Sequence, residues 1–504
     1  MKRLIWTVYL VVSGFLAGAN QPNVLVILAD DIGLGDISYY RRQHSDKIIV
    51  ETPNIDKLAK EGMLFTNAHS PAALCAPSRY AIMTGNNPYR SYQPWGVWGA
   101  YERSPIERED MTLGLLMKSA GYQTAFFGKW HIGGDWNRKS NPNEIYRSAK
   151  QHMELDVDIS EYIGGGPRFQ GFDYDFTYPA GIQDVPYAAY ENGKWYPLHD
   201  KSEITFISKE AMLQKDVKLD KEEGLGDSHW DAHDMGPLLA NKAVSYIDSH
   251  ARQEQPFFMY YCSEAVHKPH SPPGSLNGVK IKGTTPSAHL DMVAELDQQI
   301  AMMVEALKRN GVYENTLIIF TSDNGGLRIP ETVKSGHQSS DIYRGNKNTI
   351  FEGGHRVPFI ACWPEKIKSG QKSNEPIQGN DIMATLAAIN KQSLQEHQAL
   401  DSYNLLPILN GEKDALGRDI MMIQGGTSAE SALIRNDWKL VIQYKKNNAE
   451  HMRVPTALYH LATDIEESIN LIQNPDQQTR IKEMLEQYSL LRNDPKRSTS
   501  IITN

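Results

Sequence analysis

Two short apolar runs, each ending at acidic residues, constrain the fold of this chain more than any other feature. Asn23 to Ala29 is rich in β-branched residues and leads directly into Asp30-Asp31, and Leu317 to Thr321 leads into Ser322 and the pair Asp323-Asn324. Continuous apolar runs of this kind indicate strands that are buried on both faces of a parallel sheet. Because ligand sites of such sheets lie beyond the carboxyl ends of the strands, both acidic pairs are predicted to face one site.

The residues between the two runs indicate a helix that precedes the second strand. Apolar residues recur there at three- and four-residue spacing, and Asn310-Gly311 is a suitable helix end: Met292, Leu296, Ile300, Met303 and Leu307. Helix, strand and acidic loop in this order predict a doubly wound α/β body. Residues 135–235 are predicted to be irregular and polar.

The C-terminal part of the chain predicts a second, smaller domain that begins near residue 416. Ser431 to Tyr444 indicates two strands about a turn, and Asp476 is expected to cap a closing helix that runs to about Leu491.

Composition excludes several classes of protein. The chain has 504 residues, a net charge of −9 and a mean hydropathy of −0.49, which excludes a polytopic membrane protein. Mixed charges and a pI near 6.0 provide no basic surface for a nucleic acid, so nucleic-acid binding is not expected.

The first nineteen residues have the pattern of a secretory signal peptide. Lys2 and Arg3 precede the apolar run Leu4 to Ala17, and Ala17-Gly18-Ala19 resembles a cleavage site. The run is too short to span a bilayer, and we expect an exported protein without stable membrane insertion. The predicted boundaries are residues 1–19 for the signal peptide, 20–415 for the large domain and 416–504 for the small one.

The three cysteines differ in their surroundings. Cys262 and Cys362 lie in apolar runs and are expected to be buried strand residues, whereas Cys75 precedes a Pro-Ser-Arg turn. No pair of cysteines has the spacing of a thiolate zinc site.

Carboxylate and amide oxygens at the two strand ends favour a hard cation such as Ca²⁺ or Mg²⁺. Helix capping is the alternative for each pair alone. Clustered carboxylates repel one another without a cation, so a metal site is the stronger prediction.

Several motifs together resemble the type I sulfatases. Cys75-Ala76-Pro77-Ser78-Arg79 with Thr84-Gly85 is similar to the family's C-x-P-S-R signature, and Gly121 to His131 is similar to its second signature. Other matches are spread along nearly the whole chain: Asp30-Asp31, Gly171-Phe172-Asp173, Ala265 to His270, Asp323-Asn324-Gly325, Arg344 to Lys347, Glu352-Gly353-Gly354 and Leu458 to Leu461.

The resemblance implies an α/β, alkaline-phosphatase-like sulfatase fold. In that fold a large, mostly parallel mixed sheet is flanked by helices, and a smaller C-terminal α+β domain carries an antiparallel sheet. The large domain at residues 20–415 would then be catalytic.

The resemblance also implies the site residues. The metal, Ca²⁺ with Mg²⁺ as the alternative, would be held by Asp30, Asp31, Asp323, Asn324 and residue 75. Cys75 would be converted by a formylglycine-generating enzyme to Cα-formylglycine, whose hydrated aldehyde is the nucleophile. The remaining residues would line the sulfate pocket: Arg79, Lys129, His131, His267 and Lys347. Of these, His267 with Lys347 would protonate the leaving alcohol, and His131 would accept the proton released when sulfate leaves.

The expected substrate is a sulfated polysaccharide or its oligosaccharides, acted on in the periplasm or outside a bacterial cell. Aromatic residues cluster in two loops, which favours sugar binding: Tyr89, Tyr92, Trp95, Trp98 and Tyr101 in the first, and Tyr162, Phe169, Phe172 and others in the second. Many of them, Phe172 especially, are expected to be core residues instead. Overall resemblance favours 4-O-sulfated galactose or N-acetylgalactosamine, as in chondroitin, dermatan or carrageenan. The alternatives are a phosphonate monoester or phosphodiester hydrolase of the same superfamily, and a carbohydrate-binding protein in which Cys75 is never converted.

Overall fold

The two apolar runs form neighbouring strands at the centre of a ten-stranded sheet. A computed structural model of the chain describes residues 21–148, 155–426, 429–447 and 450–495. The predicted signal peptide lies outside these residues. Within them, no helix is both long and apolar enough to cross a lipid bilayer.

The strands of the described residues are short, and most of the longer ones belong to the central sheet or the C-terminal sheet. In chain order they are β1 (Asn23–Ala29), β2 (Met63–Phe65), β3 (Ala68–His69), β4 (Gln123–Lys129), β5 (Trp136–Arg138), β6 (Ile145–Tyr146), β7 (Val157–Asp158), β8 (Tyr174–Ile182), β9 (Ala189–Glu191), β10 (Lys194–Tyr196), β11 (Ile204–Ile207), β12 (Gly224–Asp227), β13 (Phe257–Cys262), β14 (Ser275–Leu276), β15 (Val279–Lys280), β16 (Thr316–Ser322), β17 (Phe359–Cys362), β18 (Gln371–Ser373), β19 (Ile377–Gln378), β20 (Ile420–Gln424), β21 (Glu430–Arg435), β22 (Trp438–Asn447) and β23 (Glu450–His460).

The α-helices of the described residues surround this sheet or close the C-terminal domain. They are α1 (Ser38–Arg41), α2 (Pro53–Glu61), α3 (Cys75–Thr84), α4 (Leu113–Ser119), α5 (Lys209–Gln214), α6 (Ala232–His250), α7 (Ala288–Arg309), α8 (Pro330–Lys334), α9 (Glu352–His355), α10 (Asp381–Ile389), α11 (Leu406–Leu409) and α12 (Gln478–Asn493).

The central sheet is mixed and mostly parallel, as predicted. Its strand order is β10-β9-β8-β4-β13-β1-β16-β17-β2-β18, and the five strands from β8 to β16 are parallel. Alternate residues of β1 enter two different cores, because successive side chains of a strand point to opposite faces. Leu25 and Ile27 pack with α2, α6 and α7, whereas Val24 and Val26 pack with α3, α4 and α10. The strands are therefore buried on both faces, which explains their continuous apolar runs.

The structure corrects two local predictions. Residues 135–235 are not irregular, since β8, β9 and β10 of the central sheet lie in this segment. The strand β8 mixes aromatic, polar and proline residues, so it lacks the apolar signal of β1. Asp476 does not cap the last helix; it lies in a short 3-10 turn that Asn474 caps, and α12 begins at Gln478.

Other local predictions are confirmed. The helix predicted before the second strand is α7, which ends at Arg309 with Asn310 as its C-cap, and Cys262 and Cys362 are buried in β13 and β17. The predicted pair of C-terminal strands is β21 and β22.

An antiparallel sheet, β20 to β23, forms the C-terminal part of the molecule. One face packs on α12 through residues such as Leu433 and Tyr488. The other face, which includes Ile423 and Tyr459, packs on Ile350 of the large domain. The sheet begins at Ile420, and the boundary at residue 416 stays a prediction.

A pair of buried carboxyl groups lies under the loop that follows β13. Glu264 and Glu295 are 1% and 2% exposed, and the Gln299 side-chain amide donates to both, at 3.2 and 3.3 Å. Among the residues that the structure describes, no lysine, arginine or histidine forms an ion pair with either carboxyl. Burial raises the pKa of Glu264 to about 7, and burial together with the neighbouring Glu264 raises the pKa of Glu295 well above its usual value. Both shifts favour the protonated form of these carboxyl groups.

This pair predicts that the stability of the protein falls as the pH rises. In the unfolded chain Glu295 ionises near its usual pKa of 4.5, whereas in the folded chain it retains its proton, so raising the pH above 4.5 favours unfolding. Glu295→Gln has no proton to lose at this position. We expect its Tm to decline less than that of the wild type between pH 5 and pH 8, measured by differential scanning calorimetry. Glu305→Gln, on the exposed side of α7, is the matched control. If the Tm of Glu295→Gln and that of the wild type fall equally with pH, the pKa of Glu295 is not raised by folding.

Candidate active site

Four adjacent parallel strands bring the polar residues of the site to one edge of the sheet. The register pairs Gly128 of β4 with Cys262 of β13, Cys262 with Leu28 of β1, and Ala29 of β1 with Ser322 of β16. The residues at and after the ends of these strands therefore meet, although they are far apart in the sequence. The helix α3 begins at the same edge, since the Cys75 Sγ lies 3.4 Å from the His131 Nδ1.

Three carboxyl groups from two of the strand ends lie together in the interior. Asp30, Asp31 and Asp323 are at most 1% exposed. The Asp31 backbone N–H donates to the Asp323 Oδ1 at 3.1 Å, and the Asn324 side-chain amide donates to the Asp31 Oδ1 at 2.9 Å. Asp31 has a φ of 63°, in the left-handed region. This turn brings its carboxyl to the same site as that of Asp30, whereas consecutive residues of a strand would face opposite sides.

Each of these carboxylates contacts a buried cationic side chain. Lys129 Nζ lies 2.6 Å from the Asp30 Oδ2, and Lys347 Nζ lies 2.6 Å from the Asp31 Oδ1. Arg79, one turn into α3, donates from Nε to the Asp323 Oδ2 at 2.9 Å. Three negative and three positive charges are thus paired in a site that water barely reaches, which is the arrangement that buried charges require.

The charges of the site shift the pKa values of its acidic groups in different directions. Burial alone would raise the pKa of Asp30 and of Asp31, but Lys129 next to Asp30 and Lys347 next to Asp31 lower both. Burial and the Asp30 carboxylate together raise the pKa of Asp323 to about 7. Burial also raises the pKa of the Cys75 thiol, so an unmodified Cys75 is protonated.

Two histidines flank the carboxylates, and both are neutral. Burial, with added repulsion from Lys129 at His131 and from Lys347 at His267, holds the pKa of each far below its usual value. His267 Nδ1 lies 2.9 Å from the Lys268 carbonyl, which can only accept a hydrogen bond. Nδ1 therefore carries the hydrogen, and the unprotonated Nε2 lies 3.8 Å from the Asp31 Oδ2.

The donor atoms of this site fit a hard divalent cation. Asp30, Asp31 and His267 each offer a ligand atom within 4.8 Å of the others. The Asp30 Oδ1 and the Asn324 Oδ1 are buried and, in the described residues, lack a hydrogen-bond partner. Unsatisfied carboxylate and amide oxygens are the ligands that Ca²⁺ and Mg²⁺ take.

A second group of possible metal ligands is instead an internal hydrogen-bonded cluster. His69, Glu352 and His355 are close enough to share an ion, but the Lys439 Nζ lies 3.0 Å from both the Glu352 Oε1 and the His355 Nε2. His355 in turn contacts His69, with 2.9 Å between their Nδ1 atoms. The lysine occupies the position that a cation would take.

The structure brings the predicted site residues together, and their chemical roles remain predictions. Around one point lie the proposed metal ligands and the proposed pocket residues: Asp30, Asp31, Cys75, Arg79, Lys129, His131, His267, Asp323, Asn324 and Lys347. The ring of His270 lies 5.2 Å from that of His289.

Many of the aromatic residues expected to face a sugar are buried in the core instead. Trp98, Tyr101 and Tyr162 are at most 4% exposed, so the sugar-binding prediction is wrong for them, whereas the burial of Phe172 confirms its expected place in the core. Aromatic residues next to polar ones occur both in protein cores and in sugar-binding surfaces, and the sequence alone does not distinguish the two.

Gln183 belongs to the site and was not predicted from the sequence. Its Oε1 lies 2.6 Å from the Lys129 Nζ, on a side chain that is 4% exposed. Lys129 has three N–H groups, of which Asp30 and Gln183 accept two, so the third is held in a fixed direction. Gln183 follows β8 in the segment predicted to be irregular, and no motif marks it.

Comparisons with known proteins identify the family of the chain. Residues 22–389 match the family model described as Sulfatase. The N-acetylgalactosamine-6-O-sulfatase of Bacteroides thetaiotaomicron is 31% identical over 509 aligned residues, which cover 93% of this chain and 93% of that protein. Human N-acetylgalactosamine-6-sulfatase is 30% identical over 433 residues, which cover 83% of this chain and 71% of that protein.

A solved structure is similar to this chain along nearly its whole length. A Bacteroides thetaiotaomicron protein, solved in work on the metabolism of multiple glycosaminoglycans, superposes with a TM-score of 0.79 at 28% identity. The superposition covers 94% of this chain and 100% of that one.

The position of Gln183 predicts an effect on anion binding. Gln183→Glu keeps an acceptor for Lys129 but adds a negative charge to the pocket, so we expect the affinity for inorganic sulfate to fall at least about tenfold. The dissociation constant is measured by isothermal titration calorimetry. Gln371→Glu, on the exposed strand β18, makes the same change in net charge far from the site. If Gln183→Glu binds sulfate as tightly as this control, Gln183 is not part of the anion pocket.

Proposed function

This chain belongs to the sulfatase family and is a sulfuric ester hydrolase, and we propose that it removes the 6-O-sulfate of N-acetylgalactosamine units in glycosaminoglycan-type carbohydrates. The observation that carries this proposal is the 31% identity to an N-acetylgalactosamine-6-O-sulfatase along nearly the full length of both chains. The structural likeness to a protein from work on glycosaminoglycan metabolism supports the same substrate class.

The position of the sulfate is the point at which this proposal departs from the sequence-based expectation. Overall resemblance favoured a 4-O-sulfate of galactose or N-acetylgalactosamine. The bacterial and human relatives above are both named for the 6-position, and 6-O-sulfate is therefore the better proposal.

In this proposal Asp30, Asp31, Asp323, Asn324 and residue 75 hold one divalent cation, with Ca²⁺ preferred to Mg²⁺. The cation would stabilise negative charge on the sulfate oxygens and lower the pKa of a hydroxyl bound to it. The three carboxylates are already balanced by Arg79, Lys129 and Lys347. A divalent ion would therefore leave the pocket with surplus positive charge, which suits an anionic ester.

Residue 75 is proposed to act as formylglycine, formed from Cys75 by a maturation enzyme. The buried, protonated Cys75 thiol is a poor nucleophile, whereas a hydrated aldehyde at this position has two hydroxyl groups. One hydroxyl attacks sulfur while the bond from sulfur to the sugar oxygen breaks, and the proton that this hydroxyl loses passes through His267 to the sugar oxygen. The second hydroxyl then loses its proton, the bond from carbon to the sulfate oxygen breaks, and the aldehyde is restored.

The two histidines fit the two proton transfers of this sequence. The His131 Nδ1 lies 3.4 Å from the Sγ of residue 75, within reach of the second hydroxyl's proton. His267 and Lys347 both lie against the Asp31 Oδ2, at 3.8 and 2.8 Å. The neutral His267 accepts the proton of the attacking hydroxyl at Nε2 and, with Lys347, delivers it to the leaving sugar oxygen. Arg79 and Lys129 bind sulfate oxygens.

Export to the periplasm or the cell exterior of a bacterium is part of the proposal. It rests on the signal-peptide pattern of residues 1–19 and agrees with a carbohydrate substrate of this kind.

The proposed reaction predicts how sulfate release depends on the substrate and on residue 75. We expect release from 6-sulfated N-acetylgalactosamine to exceed release from its 4-sulfated isomer, and Cys75→Ala to abolish both while the fold is kept. Free sulfate is measured by ion chromatography, with a phosphodiester of the same sugar as the competing substrate. Cys362→Ala, a buried cysteine of β17, is the matched control.

Three results would contradict the proposal. Preference for the 4-sulfated sugar would exclude the 6-position as the site of the hydrolysed sulfate. Preference for the phosphodiester would exclude sulfate ester hydrolysis as the main reaction. Activity in Cys75→Ala would exclude the nucleophile.

A further inference from the structure

A cavity of about 280 Å³ lies beside the site and takes no part in the chemistry described so far. Arg328, His337, Ser339 and Asn346 are among its lining residues. Its size is near the lower end of the range for small-ligand sites and suits one sugar unit.

The cavity shares a wall with the catalytic site. Asn346 precedes Lys347, whose backbone N–H donates to the Gly326 carbonyl at 3.0 Å. Gly326 follows the Asp323-Asn324 pair by two residues and packs directly on Ser339, since a Cβ at Gly326 would lie 2.6 Å from the Ser339 Cβ. The backbone next to Lys347 therefore lies beside this cavity.

The charge of the cavity lining is positive. Arg328 is exposed and, within the described part of the chain, has no hydrogen bond or ion pair. The carboxylate of Asp341, which also lines the cavity, is paired with Arg41 and His44. Asp36, which lies behind the lining, is paired with His337 at 2.7 Å. Arg328 is thus an unpaired charge of the lining.

The wall of the cavity also contains a buried polar group, the Ser339 hydroxyl. Ser339 is 6% exposed, and its hydroxyl has no hydrogen-bond partner among the described residues. Buried hydroxyl groups are normally hydrogen-bonded, so this one leaves a hydrogen bond for a bound group to supply.

We propose that this cavity binds the sugar unit next to the sulfated one and that Arg328 pairs with the carboxylate of a uronic acid in that unit. The planar guanidinium matches a carboxylate with two parallel hydrogen bonds, and the Ser339 hydroxyl supplies a further donor. A second sulfate ester has a related anionic chemistry and is the competing ligand. This inference rests on the proposed function, because it places the sulfated unit at Lys347.

The test compares three ligands that differ in one group. The first is a disaccharide of glucuronate and 6-sulfated N-acetylgalactosamine, the second is its carboxyl-reduced form, and the third carries a second sulfate in place of the carboxylate. Dissociation constants are measured by calorimetry on Cys75→Ala protein, with and without Arg328→Ala. We expect the uronate ligand to bind about tenfold more tightly than the reduced one, and Arg328→Ala to remove this difference.

Turnover of the otherwise unaltered enzyme gives a second readout. We expect Arg328→Ala to lower kcat/KM on the uronate disaccharide about tenfold more than on the sulfated monosaccharide. Lys334→Ala, an exposed lysine of α8 outside the cavity, removes the same charge and serves as the control.

Equal affinity for the uronate and the reduced ligand would overturn the subsite, as would discrimination that survives in Arg328→Ala. Tight binding of the doubly sulfated ligand alone would reassign the subsite to sulfate and overturn the uronate assignment. Absence of sulfate release from every ligand, with discrimination in binding intact, would instead contradict the proposed function and leave the subsite in place.

Discussion

The pairing of three buried carboxylates with three buried cations is the interaction on which the site depends. Asp30, Asp31 and Asp323 are held by Lys129, Lys347 and Arg79, and each pair joins segments far apart in the sequence. Removing any one partner would leave an uncompensated charge in the interior, which is strongly destabilising. The same pairs fix the side chains in place, as the proposed binding of a sulfate ester requires.

The C-terminal sheet extends this organisation to the segment that carries residue 75. The Ala73 backbone N–H donates to the Gln424 carbonyl at the end of β20, and the Asn348 N–H donates to the Ala73 carbonyl. Behind them, the Lys439 ammonium is completely buried and contacts Glu352, Glu467 and His355. The small domain is therefore a structural part of the site wall, adjacent to both residue 75 and Lys347.

The sequence predicted the parts of the site whose local patterns are distinctive. Asp30-Asp31 and Asp323-Asn324 follow apolar runs that are unmistakable because β1 and β16 are buried on both faces, and parallel strands bring their ends together. Gln183 was missed because β8 mixes aromatic and polar residues and contains Pro179, so neither the strand nor its end has a pattern. Trp98 and Tyr101 were misplaced because an aromatic residue in a polar loop packs into a core as readily as onto a sugar.

Arg328 and the Ser339 hydroxyl come together only through tertiary packing.

The metal content of the purified enzyme tests the central claim most directly, namely that a divalent cation completes the buried charges at the strand ends. Elemental analysis should find a single calcium ion per chain in active protein. Chelation should remove sulfate release together with the ion, and added Ca²⁺ should restore both. Protein stripped of divalent metal that still releases sulfate at the full rate would contradict this description of the site.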